Sequence, residues 1–132
     1  MQREKDYLKK KIDKLAVVLA ELLAKVTKTD VAFTKEEFAN DFDKILQEQT
    51  TTDLGTILEM EQENFLKNLQ EKNEFTSNQL HVLTDLLYQY YLNFGNVNQL
   101  NKKLIVLYES CITEGIALSL EQYKLIEKLK AM

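Results

Sequence analysis

Three times this chain repeats one short pattern, and that repetition constrains its fold more than any other feature. "FTKEEF" at 33–38, "FTSNQL" at 75–80 and "LSLEQY" at 118–123 each read apolar, hydroxyl, two variable residues, Glu or Gln, then apolar or aromatic. In each, the hydroxyl is placed to accept a hydrogen bond from a free backbone N–H of a starting helix. The Glu or Gln three residues on can reach back to the N–H of the hydroxyl residue. That is a capping box, and the flanking apolar pair adds a hydrophobic staple. Thr34, Thr76 and Ser119 are therefore predicted as helix N-caps.

The rest of the chain agrees with helix. There is no proline, and the only glycines are Gly55, Gly95 and Gly115. A β-sandwich or barrel needs turn residues every 8–12 positions or so, and these are missing. Hydrophobic residues make up 45% and charged residues 29% of 132 positions, the balance of one folded domain with a sizeable core.

Apolar periodicity fills in the elements. In "REKDYLKKKIDKLAVVLAELLAKV", Leu8, Ile12, Leu15, Leu19, Leu22 and Val26 fall alternately four and three apart, one stripe along a leading helix within 1–28. A first hairpin, 34–72, carries Phe38, Phe42, Ile45 and Leu46, is broken by "TTTD" at 50–53, and resumes with Leu54, Ile57, Leu58, Phe65, Leu66 and Leu69. A second, 76–114, carries Leu80, Leu83, Leu87, Tyr90 and Phe94, stops at Gly95, and continues through Val97, Leu100, Leu104, Tyr108 and Cys111 to Gly115. A closing helix, 119–131, presents Tyr123, Ile126 and Leu129. The expectation is a single all-α domain over 1–132 with about six helices: the leading amphipathic helix, then stacked antiparallel hairpins and a closing helix. An irregular helical bundle is the other architecture compatible with this pattern.

At "LLYQYYLNFGN" the second hairpin resembles a tetratricopeptide helix pair, with Leu87, Tyr91 and the Gly95-Asn96 turn at that family's spacing. Tyr108 and Cys111 resemble the packing positions of its second helix once about one turn is inserted. Tyr88 stands where the family has a small residue, the family's proline is absent, and the period exceeds the family's 34 residues or so. The resemblance covers about residues 83–112 and implies protein–protein binding without assigning a ligand residue. "DYLKKKIDKLAVVLAELLAK" with "GIALSLEQYKLIEKLK" is also similar to a group of short bacterial proteins of unknown function, which implies a helical-hairpin fold and no particular activity.

Charge narrows the function classes. The net charge is −4, but residues 1–34 hold eight Lys or Arg against five acids, and residues 35–75 hold four against eleven. An acidic chain lacks the concentrated positive surface that nucleic acid requires, so no nucleic-acid partner is expected. The basic first helix is expected to dock on the acidic hairpin, in its own chain or in a second copy. The longest nearly apolar run, "LAVVLAELL" at 15–23, contains Glu21 and is far short of a membrane span. Asp6, Asp13 and Glu21 argue against a signal peptide, and the lone Cys111 implies no oxidising compartment, so a cytoplasmic location is expected.

Residues that could carry chemistry are few. His81 is the single histidine, with Asp85 four residues on; without a nucleophile beside it, the pair reads as a surface pair. Cys111 falls on an apolar stripe and reads as a buried structural thiol. Glu59 and Glu63 could face a metal, but no partner helix supplies Glu-x-x-His, and a solvated acidic face is preferred. No phosphate loop, zinc spacing or calcium loop occurs. No cofactor, metal or catalytic residue is expected. The helix holding Tyr88, Tyr90 and Tyr91 is apolar nearly all round and is expected to be central, with Tyr88 or Tyr91 either packing between helices or lining a peptide groove.

The function expected is a non-enzymatic protein–protein interaction module or small scaffold, self-association included. Partner or inter-helix contacts are expected at Leu8, Ile12, Leu15, Leu19, Leu22, Tyr88 and Tyr91. The alternative is peripheral membrane association through the basic first helix.

Overall fold

The computed structural model describes residues 2–27 and 34–131, with side chains from residue 14 onward. It is all-α. The elements are α1 (Gln2–Thr27), α2 (Lys35–Gln49), α3 (Leu54–Glu59), α4 (Gln62–Lys67) continued by a π-helical turn (Asn68–Lys72), α5 (Ser77–Phe94), a 3-10 turn (Val97–Gln99), α6 (Leu100–Thr113) and α7 (Leu120–Lys130). Seven α-helices thus stand among the described residues, against the expected six or so.

Local chemistry starts these helices where the repeated pattern stands. The Thr34 hydroxyl accepts from the Glu37 N–H at 3.1 Å, the hydroxyl half of a capping box. At Thr76 and Ser119 the box is complete. Gln79 N–H donates to Thr76 Oγ1 at 3.3 Å and the Thr76 N–H donates to Gln79 Oε1 at 3.0 Å. The matching distances at Ser119 and Gln122 are 3.1 and 2.9 Å. The staple residues Phe75 and Leu80 are both buried, whereas Tyr123, expected on the inner face of α7, is 45% exposed. Phe33 lies outside the described residues.

Helix α5 is the hub: α1 and α6 both pack against it, α2 packs on α1 and touches α5, and α4 and α7 pack on α6. One core joins Leu15, Leu19 and Leu22 of α1 with Phe38, Phe42 and Leu46 of α2 and with Leu80, Leu83, Leu86 and Leu87 of α5. Each fully buried leucine or phenylalanine contributes about 1.5–3 kcal/mol relative to exposure. Helix α1, some 39 Å long at 1.5 Å per residue, therefore docks within its own chain, on the acidic α2 and on α5. Lys25 and Asp41 face each other at 3.8 Å across that contact.

The stretch 34–72 differs from a simple hairpin. The second helix expected there is broken at Met60–Glu61, where ψ is 139° and 142°. The break coincides with a distant contact. It frees the Leu58 carbonyl, which accepts from Lys103 Nζ at 2.5 Å and from Asn98 Nδ2 at 2.9 Å. Lys103 is only 1% exposed, with its ammonium 5.6 Å from the Phe65 ring centre. Among the described residues no carboxylate pairs with it, so burial lowers its pKa from 10.5. The negative end of α3 and the face of Phe65 hold it instead. Helix α2 packs on α1 and α5 while α4 packs on α6, and the two arms do not form one stacked unit. Helices α5 and α6 pack closely on one another, as expected of the second hairpin, and no comparable pairing of α2 with α4 is seen among the described residues.

The α5–α6 connection turns on Gly95, whose φ of 88° and ψ of −169° belong to a region populated essentially by glycine. Asn98 and Gln99 follow with left-handed φ of 47° and 57°. Val97, expected on the α6 stripe, sits in this turn and is exposed.

Candidate functional site

The residues that the periodicity places on apolar stripes go into the core, so the site is built from what those stripes leave over. On α5, Asp85 lies one turn beyond His81, and the two are half-buried, each 24% exposed in its side chain. Helix α6 brings Tyr108 to the same place, and its hydroxyl donates to Asp85 Oδ1 at 2.9 Å. Helix α7 brings Gln122, whose Nε2 donates to the same oxygen at 3.0 Å.

The capping box at Ser119 orients this amide. Gln122 Oε1 accepts from the Ser119 N–H, so Nε2 is turned toward α5. Nε2 also lies 3.0 Å from His81 Nε2. An amide nitrogen can only donate, so this contact is a hydrogen bond in the tautomer that carries its proton on Nδ1. That tautomer bears on the 3.9 Å approach of His81 Nε2 to Asp85 Oδ2. A ring nitrogen accepting from Gln122 is not donating to Asp85, so this approach is not an ion pair in the neutral state.

One carboxylate thus receives two neutral donors on Oδ1, while among the described residues Oδ2 has only the imidazole at 3.9 Å. Its charge reaches its neighbours. Burial, then the Asp85 charge, push the Tyr108 hydroxyl far above its ordinary 10.0. The same two causes raise the Cys111 thiol from 9.0 to about 11. A thiol held protonated at neutral pH is the opposite of an activated nucleophile.

The network forms one wall of a cleft of about 500 Å³ where α5, α6 and α7 meet. Tyr88 and Gln89 of α5 and Leu125 of α7 line it further, with Ser119 and Glu121 at the start of α7. Tyr88 stacks on Tyr91, ring centres 6.3 Å apart and planes 20° from parallel. Burial, with Tyr91 second, raises the Tyr88 pKa above 10.0. A smaller groove of about 310 Å³ runs between α1 and α2, lined by Val18, Glu21, Leu22, Lys25, Asp41, Lys44, Ile45 and Glu48.

Of the residues singled out in the sequence, Tyr88 lines the larger cleft and Tyr91 stacks on it. Leu15, Leu19 and Leu22 lie in the core, away from that cleft. Leu8 and Ile12 are outside the residues whose side chains are described. Thr34 and Thr76 cap helices away from the cleft, and Ser119 is on its rim. Cys111 is buried. Glu59 and Glu63 stand exposed on separate helices, α3 and α4, and no group of three or more potential ligands could hold a metal among the described residues.

The sequence reading missed Tyr108 and Gln122 as polar partners of Asp85, and took His81–Asp85 for a surface pair. The one signal available was that Gln122 sits at a capping-box position, which holds its amide at the start of α7 with Oε1 engaged and Nε2 left to donate elsewhere.

Comparison with protein-family models, with curated proteins and with solved structures finds no match to this chain. Among the described residues, no helix is long and apolar enough to cross a membrane.

Proposed function

We propose that this chain is a protein-binding module whose docking surface is the cleft between α5 and α7. The observation that carries the reading is the half-buried Asp85, held by Tyr108 and Gln122 from two other helices, opening onto a cleft walled by Tyr88. Three helices orient these groups, and tyrosine anchors of this kind contribute large contact area at small entropic cost. Cys111, the one thiol nearby, is buried and kept protonated, which favours binding over covalent chemistry.

The first helix supports this reading over membrane association. Leu15, Leu19 and Leu22 are covered by the chain's own α2 and α5, so a bilayer or a second copy would have to displace them.

Panning displayed random peptides against the intact protein tests the proposal. Enriched peptides are expected to lose about thirtyfold in affinity on Tyr88→Ala, the roughly 2 kcal/mol of an aromatic hot spot. Failure to enrich any peptide, or peptides indifferent to Tyr88→Ala, would overturn it.

A further inference from the structure

We infer that the cleft recognises a basic side chain, lysine or arginine, of a partner protein, with Asp85 as its charge anchor; the inference rests on the docking reading above and specifies the occupant. Charge is the first argument. The cleft lining contains two carboxylates, Asp85 and Glu121, and no lysine or arginine. The N-terminus of α7 opposes them with about half a positive unit, and the Ser119 cap already engages the Ser119 and Gln122 N–H groups, so the cleft is negative on balance. The groove between α1 and α2 differs, since Lys25 and Lys44 stand among its three acids, with Lys25 facing Asp41 at 3.8 Å.

Hydrogen-bond capacity is the second argument. A carboxylate accepts about four hydrogen bonds. Tyr108 and Gln122 supply two, both to Oδ1 and both from neutral groups. His81 Nε2 stands 3.9 Å from Oδ2, beyond hydrogen-bond length. Oδ2 therefore retains acceptor capacity beside a partly desolvated charge, where an incoming ammonium or guanidinium is attracted more strongly than at an open surface. Shape is the third. Tyr88 lines the same cleft, and an aromatic face within about 6 Å attracts a cation independently of the carboxylate. Two acceptors and a ring around one cavity suit a cationic head on an apolar stem, which Leu125 can contact.

The probe is N-acetyl-arginine methylamide, titrated into the isotope-labelled full chain and followed by amide and side-chain NMR shifts. Its citrulline counterpart, a neutral isostere, is the control. Saturable shifts are expected at Asp85, Tyr88 and the Gln122 side-chain amide, in the millimolar range usual for a single anchoring group, with the citrulline compound at least tenfold weaker. Asp85→Asn should abolish them while the remaining spectrum stays folded. If that variant does not fold, Glu121→Gln at the exposed rim should weaken binding at least twofold.

Equal response to citrulline overturns the inference. So do shifts confined to the acidic surface of α2–α4, shifts untouched by both variants, or no saturable shift at all. Displayed peptides that need Tyr88 yet contain no lysine or arginine would sink the basic-side-chain inference and leave the docking reading standing. Arginine binding with no peptide enriched would overturn the docking reading and, with it, the partner-protein occupant inferred here.

Discussion

Helix α1 and helix α7 are attached to the same body by different physics. Helix α1 presents Leu15, Leu19 and Leu22 to α2 and α5, and all three are buried in the main core. One polar contact across that seam, Lys25 with Asp41 at 3.8 Å, joins two half-exposed side chains and is worth at most about 1 kcal/mol. Helix α7 buries only Ile126 and Leu129 against the body and adds a directed network through Gln122 to His81 and Asp85. One seam is closed by area. The other is held partly by geometry and leaves a cleft. A leucine seam tolerates small slips, because burial has no preferred direction. A seam that depends on 3.0 Å hydrogen bonds holds its side chains in set positions, which is what a recognition surface needs.

The sharpest way to break this contrast is to charge the apolar seam. Leu19→Asp places a carboxylate at a fully buried position and should destabilise the protein by about 4 kcal/mol or more, with loss of the cooperative thermal transition. Val17→Asp, on the exposed side of the same helix, should stay within about 0.5 kcal/mol. Equal melting curves for the two would mean that α1 is not docked.

Alkali should probe the polar seam instead. The Cys111 pKa is raised from 9.0 unfolded to about 11 folded, so its contribution is fully present below pH 9 and is lost as pH rises toward 11. That decline amounts to about 2 kcal/mol. Tyr108 adds a further loss starting above pH 10, where its unfolded hydroxyl ionises and its folded one does not. Denaturant unfolding of Cys111→Ala between pH 8 and 11 should lack the first stage of the decline; a slope identical to wild type would contradict the burial and charge assigned to this thiol.

Tyr108→Phe removes one of two donors to Asp85 without changing shape. It should cost about 1–2 kcal/mol and soften the alkaline decline above pH 10. Thr76→Ala, which removes an N-cap at the start of the hub helix shared by both seams, should cost about 1 kcal/mol in urea unfolding. Smallest of all, Asp41→Ala should change stability by less than about 1 kcal/mol, and added salt should reduce even that. A larger loss would show that the α1 seam also depends on charge.

How far each seam was legible in the sequence follows from the range of its interactions. Thr34, Thr76 and Ser119 could be recognised as caps because the donor and acceptor are three residues apart. The stripe Leu15, Leu19, Leu22 was visible because helical periodicity alone puts those residues on one side. The break at Met60–Glu61 was not visible. Leu58 and Phe65 are in phase for one helix, and the partner that takes the Leu58 carbonyl at the break is a lysine 45 residues away. The cleft was hidden for the same reason. Asp85 meets Tyr108 across 23 residues and Gln122 across 37, and neither spacing has a local signature. His81–Asp85 looked like a surface pair because nothing nearby in sequence says that α7 covers it.

Local hydrogen bonding and apolar period, both read within a turn or two of helix, decided by themselves that this chain is helical, where its capped helices begin and, with exceptions such as Tyr123 and Val97, which residues turn inward. Which helix lies against which, where a helix must break, and which leftover polar groups converge on a cleft were decided only in the folded molecule. The reason is that these depend on contacts between residues tens of positions apart, and the free energy of such a contact is set by the neighbours that the whole fold supplies.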